Sequence, residues 1–273
     1  MKTKLSFLIC ALLLALGMPF AWAAWTPPAD RNTMHVIADA MIDRSKGRYA
    51  DALEKLEWFY ANANDAEHPI RRTTQMPYAS SEWGTLAKMY APAYASLIAT
   101  RDRAEQRVRE GGDPTIWFRE VTMFNKELDD TARSIALFKW LHANKPDNAK
   151  LAFRYIDEQL IAAKEHKLAE HYIDANGMFI NLQQNYRHYA DTAALGNENS
   201  KDLLAGQKRY FENKSAMLVS LLVLNGKQKD AERIAKQARA VIPDPAFSAT
   251  LDAALKGTMP VKDPNCDPKR RRC

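Results

Sequence analysis

From about residue 33 to Lys256, apolar residues recur at three- and four-residue spacing, and alternating runs of β-branched residues are missing. That pattern is the period of helices with one apolar face, and it leaves little or no room for a sheet. Alanine, leucine, lysine, glutamate and arginine dominate the stretch, all good helix formers. A helix that is apolar along one stripe is not stable alone, so each must bury its stripe against a neighbour. The chain is therefore expected to be all-α. At 273 residues, 47% apolar and 26% charged, it has enough apolar material for a core without covalent staples.

The punctuation is spaced like helical hairpins. Gly47 sits between expected helices Met34–Ser45 and Tyr49–Asn62. Pro92 is expected to kink or split a helix over Ser81–Glu110 near Tyr90, because proline removes a donor and clashes with the preceding turn. Gly111-Gly112 ends that helix, and Asp113-Pro114 reads as an N-cap with proline at the first helical position. Pro146-Asp147-Asn148 divides two more helices. Gly226 separates Met217–Leu224 from Lys229–Val241, which Pro243 and Pro245 close. Gly196-Asn197-Glu198-Asn199-Ser200 reads as the clearest internal loop, and Thr258–Cys273 as a tail.

Three of these turns carry more than spacing. Gly47-Arg48-Tyr49-Ala50-Asp51-Ala52-Leu53 resembles the start of the second helix of a tetratricopeptide repeat. Asn225-Gly226-Lys227-Gln228-Lys229-Asp230-Ala231, followed by Ala235, Ala238 and Pro243, resembles the same element. Asp129-Asp130-Thr131-Ala132-Arg133-Ser134-Ile135, with Phe138 and Pro146, is a weaker third. The resemblance implies units starting near Thr33, Thr115, Ala149 and Glu212, the second and third 34 residues apart. It covers about half the chain. Ile70–Gly112 and Asn181–Phe211 do not match, Asp39 stands where the family prefers an apolar residue, and Ala163-Lys164-Glu165 replaces a glycine turn. The fold it implies is an irregular α-solenoid of stacked antiparallel helical hairpins.

The family geometry lines a concave groove with the first helix of each pair. The resemblance thus implies a binding groove of Met34, Ile37 and Met41, then Ile116, Arg119 and Met123, then Lys150, Phe153 and Asp157, and finally Asn213 and Ser220. Mixed charge and apolar anchors suit an extended peptide or a partner helix. Trp117, Phe118, Phe124, Phe138, Trp140 and Phe153 recur at helical spacing and read chiefly as core.

The first 23 residues read as a secretory signal peptide: Lys2 and Lys4, an uncharged run Leu5–Leu16, a break at Pro19 and a small-x-small site at Ala21-Trp22-Ala23. The run is short for a membrane span, and no later run matches it. The chain thus divides into 1–23 signal peptide, 24–257 helical repeat domain and 258–273 basic tail. The expected location is periplasmic or secreted, with no transmembrane segment after cleavage.

Of the net charge of +6, loss of Lys2 and Lys4 leaves +4, and the last twelve residues hold five bases against two acids, leaving +1 for the body. A broad nucleic-acid-binding face is not expected. The tail itself displays Lys269, Arg270, Arg271 and Arg272 between Cys266 and Cys273. In an oxidising compartment these cysteines either close an eight-residue loop as a disulfide or stay as unpaired or intermolecular thiols. Four charges suit weak contact with an anionic surface such as phosphate-bearing envelope glycolipid.

No catalytic motif accompanies the fold. There is no H-E-x-x-H, nucleophile elbow, P-loop or G-x-G-x-x-G, and His166 and His171 lie roughly 140° apart on a helix. No metal or cofactor is expected. The expected function is a protein-protein interaction or scaffold module. The alternative is a secreted helical hydrolase acting on an envelope polymer through carboxylates that the sequence does not single out, since Glu54, Glu57, Glu82, Glu158 and Glu165 all suit solvated helix faces, and a third reading is a small-ligand carrier lined by Tyr90, Tyr94 and Phe153.

Overall fold

A computed structural model describes residues 25–27, 32–63, 70–195 and 198–261. The expected leader, the Cys266/Cys273 pair and the basic run Lys269–Arg272 lie outside the described residues. Among the described residues the chain is all-α, without a strand. None of its helices is long and apolar enough to cross a membrane. The chain divides into two compact units, one up to Arg101 and one from Asp102 onward, the division falling within a helix.

The first unit contains α1 (Thr33–Ser45), α2 (Tyr49–Asn62), α3 (Ile70–Ala87) and the start of α4 (Ala91–Glu110). Helices α1 and α2 form a hairpin over Val36, Ala40, Ala52, Leu56 and Phe59, all excluded from solvent. α3 covers this hairpin with Met76, Ala79, Trp83 and Leu86. The expected break near Tyr90 is present as a full split between α3 and α4, and Pro92 sits in the first turn of α4, where its missing donor is not needed. α3 begins eleven residues earlier than the pattern suggested and carries Pro77 inside it.

The second unit has two cores. α5 (Trp117–Glu127), α6 (Thr131–Asn144), α7 (Pro146–Ala152), α8 (Asp157–Ala162) and α9 (His166–Tyr172) bury Phe118, Val121, Leu137, Phe138 and Leu141 together with Val108 of α4. α10 (Ala175–Ala194), α11 (Glu198–Leu224), α12 (Gln228–Val241) and α13 (Pro245–Ala254) bury a second set around Phe211, Leu218, Ile234 and Leu251. Polar contacts tie the two together: Lys214 donates to Glu158 (2.7 Å), Asn225 to the carbonyl of His166 (3.3 Å), and Lys227 pairs with Glu170.

Several boundaries differ from expectation. Asp113 does not cap a helix. Its Oδ1 accepts from the amide and hydroxyl of Thr115 (2.8 Å each), which makes a turn, and α5 starts only at Trp117. Glu198–Ser200, expected in a loop, already belongs to α11. Pro245 does not end a hairpin but opens α13, with Asp244 as its N-cap accepting from Ala246 (2.9 Å) and Phe247 (3.2 Å). The first helix of the unit expected from Ala149 is broken, with a 3-10 turn at Phe153–Tyr155 between α7 and α8.

The four hairpin turns that carry the repeat-like spacing share one geometry. After α1, α5, α8 and α11 the chain places Gly47 (φ 75°), Asp129 (φ 56°), Lys164 (φ 62°) and Gly226 (φ 75°) in the left-handed region. The following amide then bonds back five residues: Arg48 to Asp43 (2.9 Å), Asp130 to Asn125 (2.7 Å), Glu165 to Leu160 and Lys227 to Leu222 (both 2.8 Å). This is the Schellman closure of a helix C-terminus. Five residues past each left-handed position stands a small, fully buried residue: Ala52, Ser134, Ala169 and Ala231. Lys164 thus adopts the conformation for which a glycine was expected. Left-handed backbone costs a residue with a Cβ roughly 1–2 kcal/mol, partly offset by glycine's larger unfolded entropy. Lys164→Gly is expected to stabilise by about 0.5–1 kcal/mol in urea denaturation. Gly226→Ala, where nothing lies within 4 Å of a Cβ, is expected to lose about 1 kcal/mol from backbone strain alone.

Candidate functional site

The residues expected to line a groove fall into both units. In the first, Met34 and Met41 are exposed on α1, whereas Ile37 is 1% exposed and belongs to the core. It lies on the stripe with Val36 and Ala40, so it packs and does not line a surface. In the second unit Ile116 precedes α5, where Arg119 and Met123 are half-buried, and Lys150 is exposed on α7. Phe153 is half-buried and stacks on Tyr172 (5.3 Å between ring centres, 25° apart) within an aromatic cluster that includes Phe138. Of the aromatics that the spacing assigned to the core, Phe118, Phe124 and Phe138 are fully buried, and Trp117, Trp140 and Phe153 half-buried.

Asp157 starts α8. Burial pushes its carboxyl above the usual range against the attraction of Lys214. Burial would depress the Lys214 ammonium, but its hydrogen bond with Glu158 and the nearby charges of Glu158 and Asp157 together outweigh that and raise it. Tyr90 is half-buried against Tyr49 (6.1 Å), and Tyr94 is exposed.

Asn213 and Ser220 share a partner. They lie seven residues apart on α11. The Ser220 hydroxyl donates to the carbonyl of Thr258 (2.6 Å), and the Asn213 amide to the carbonyl of Val261 (3.2 Å). Ser220, expected on an open surface, is fully buried. The segment that meets them follows from how α13 ends. Gly257 (φ 80°) closes a further Schellman turn, with Thr258 donating to the carbonyl of Ala253 (3.1 Å), and the chain turns back onto α11. A Cβ on Gly257 would lie 3.3 Å from Leu224, so the turn is both left-handed and tight.

Beside this segment lies an open groove of about 940 Å³ between α11 and α13, with Thr258–Val261 along it. Phe247, Ala253 and Met259 give it apolar surface. Its polar part is a lysine between two carboxylates: Lys208 Nζ is 2.8 Å from Asp244 Oδ2 and 3.5 Å from Glu212 Oε1. The hydrogen bond from Lys208, with the amides at the start of α13, holds the Asp244 carboxyl below its usual range. Burial moves Glu212 the other way, above the usual range, despite the same lysine. Lys208 is raised in turn by its bond to Asp244 and the charge of Glu212.

The sequence reading missed Lys208, Glu212, Asp244 and Phe247. The Asp244-Pro245 pair, a cap followed by proline, carried the signal for α13 and hence for this groove. Among the described residues no group of three or more His, Cys, Asp or Glu side chains could hold a metal ion. Comparison of the chain with protein-family models, with curated proteins and with solved structures gives no match.

Proposed function

We propose that this chain is an exported interaction or scaffold module, a tetratricopeptide-repeat-like stack of helical hairpins that binds a peptide or a partner helix. The observation that carries this reading is the common register of the four hairpins: one turn conformation, one back-bond and one buried small residue at the same offset, at Gly47, Asp129, Lys164 and Gly226. A small residue at that offset lets two helices approach closely, which suits side-by-side stacking, as in repeat proteins. The leader at 1–23 supplies export, and the half-buried Arg119 and Met123 with exposed Lys150 supply mixed polar and apolar contacts.

The test is affinity capture from envelope extract after cross-linking, comparing the mature chain with Arg119→Ala/Met123→Ala/Lys150→Ala. A polypeptide retained by the parent and reduced at least tenfold by the triple substitution is the expected result. Identical retention by both chains rejects these residues as the contact surface.

The hydrolase alternative draws on one observation, the burial-raised Glu212 beside an open groove. Glycosidic hydrolysis works with two carboxyl groups in complementary states. The other acid of this groove, Asp244, has one oxygen on the amides of α13 and the other on Lys208. It is committed to the fold, so binding is the better reading.

A further inference from the structure

We propose that Thr258–Val261 is a resident ligand: the α11 face marked by Asn213 and Ser220 is a site for extended peptide, and the chain fills it with its own segment. The inference deepens the peptide-binding reading above at a second surface, α11, and adds what that site reads and what regulates it.

Three observations carry it. The first is register. Residues seven apart on a helix are separated by about 10.5 Å along its axis, and carbonyls three residues apart in extended chain by roughly 10 Å. Ser220 meets Thr258 and Asn213 meets Val261, so the two spacings match with the segment antiparallel to α11. The second is chemistry. Both contacts are side-chain donors on main-chain carbonyls, and such contacts read any extended backbone and not one side chain. Met259 and Pro260, between the two anchors, bring an apolar residue and a proline, which already favours extended backbone. The third is construction. The segment is delivered by a left-handed glycine packed against Leu224, and the groove continues beside it past Lys208 and Glu212. The class of ligand is therefore an extended peptide with an apolar-proline centre.

A segment tethered by a short link acts at an effective concentration near millimolar. A peptide supplied in trans must exceed that to displace it, so the site is held closed until the segment is released or out-competed.

The experiment uses the full-length chain and a fluorescein-labelled peptide of residues 256–263 (Lys-Gly-Thr-Met-Pro-Val-Lys-Asp), read by anisotropy. The full-length variant Thr258→Gly/Met259→Ser/Pro260→Gly/Val261→Ser weakens the resident segment. It is expected to bind the peptide with at least tenfold lower Kd than the parent. Adding Asn213→Ala and Ser220→Ala is expected to abolish that gain, and a scrambled peptide to bind neither chain. Circular dichroism accompanies each measurement. If the variant loses helix, the peptide is expected to restore it and raise Tm, and failure to do so counts against the proposal as absent binding does. Equal binding by parent and variant, or binding indifferent to Asn213 and Ser220, overturns it. The capture experiment above reads α5 and α7 instead, so either idea can fail while the other stands.

Discussion

Asp43→Ala is expected to destabilise the first unit by about 3–5 kcal/mol, because it leaves two cations facing a site that has lost the carboxylate neutralising Lys55 in the buried interior. Asp43 is 5% and Lys55 6% exposed, and the Asp43 carboxylate receives both Lys55 from α2 and Arg48 from the turn. Amide hydrogen exchange of α1 and α2 measures the loss in this unit directly. A change below about 1 kcal/mol would mean that water reaches the site and screens it.

The same carboxylate gives a pH signature. Burial pushes Asp43 up, but the hydrogen bonds and charges of Lys55 and Arg48 outweigh it and hold the folded carboxyl below its unfolded value. A lowered folded value means that the contribution is present above about pH 4, the ordinary carboxyl range, and is lost as pH falls below it. Asp43→Asn is expected to flatten the acid limb of unfolding for this unit. An unchanged limb would place its origin elsewhere.

Phe211→Ala is the second large effect, at about 3–5 kcal/mol. The ring is 1% exposed and meets Phe179 (6.0 Å), Tyr186 (5.6 Å) and Phe247 (6.2 Å), so it joins α10, α11 and α13. Phe247 is also part of the groove surface, so the cavity lies directly behind the candidate site. Thermal unfolding of the full chain reads the stability loss. Phe211→Leu, which keeps most of the volume, is expected to recover more than half of it.

Helix existence was legible wherever a local signal sufficed. Gly47, Gly226 and Pro146 marked real boundaries, because a left-handed turn or a missing donor acts through the backbone at that residue. Asp113-Pro114 misled, because Thr115 competes for the aspartate and closes a turn in place of a helix cap. The resemblance placed a turn at Ala163-Lys164-Glu165, but did not say which residue would take the left-handed conformation. Nothing in the Lys164 side chain favours φ 62°, and its conformation follows from the helices on either side.

The candidate site was half legible. Asn213 and Ser220 were named, but as an open surface, and the segment on them was read as the start of a tail. No local pattern links residue 220 to residue 258.

Periodicity and breakers alone determined helices throughout the described residues and the positions of most turns, since these depend on neighbours within one or two turns. Tertiary structure decided that Ile37 and Ser220 are buried, that Lys208 stands between Glu212 and Asp244, and that Gly257 returns the chain to α11. Those outcomes depend on which helices meet, and the meeting is fixed by burial and close packing across tens of residues, which no single segment encodes.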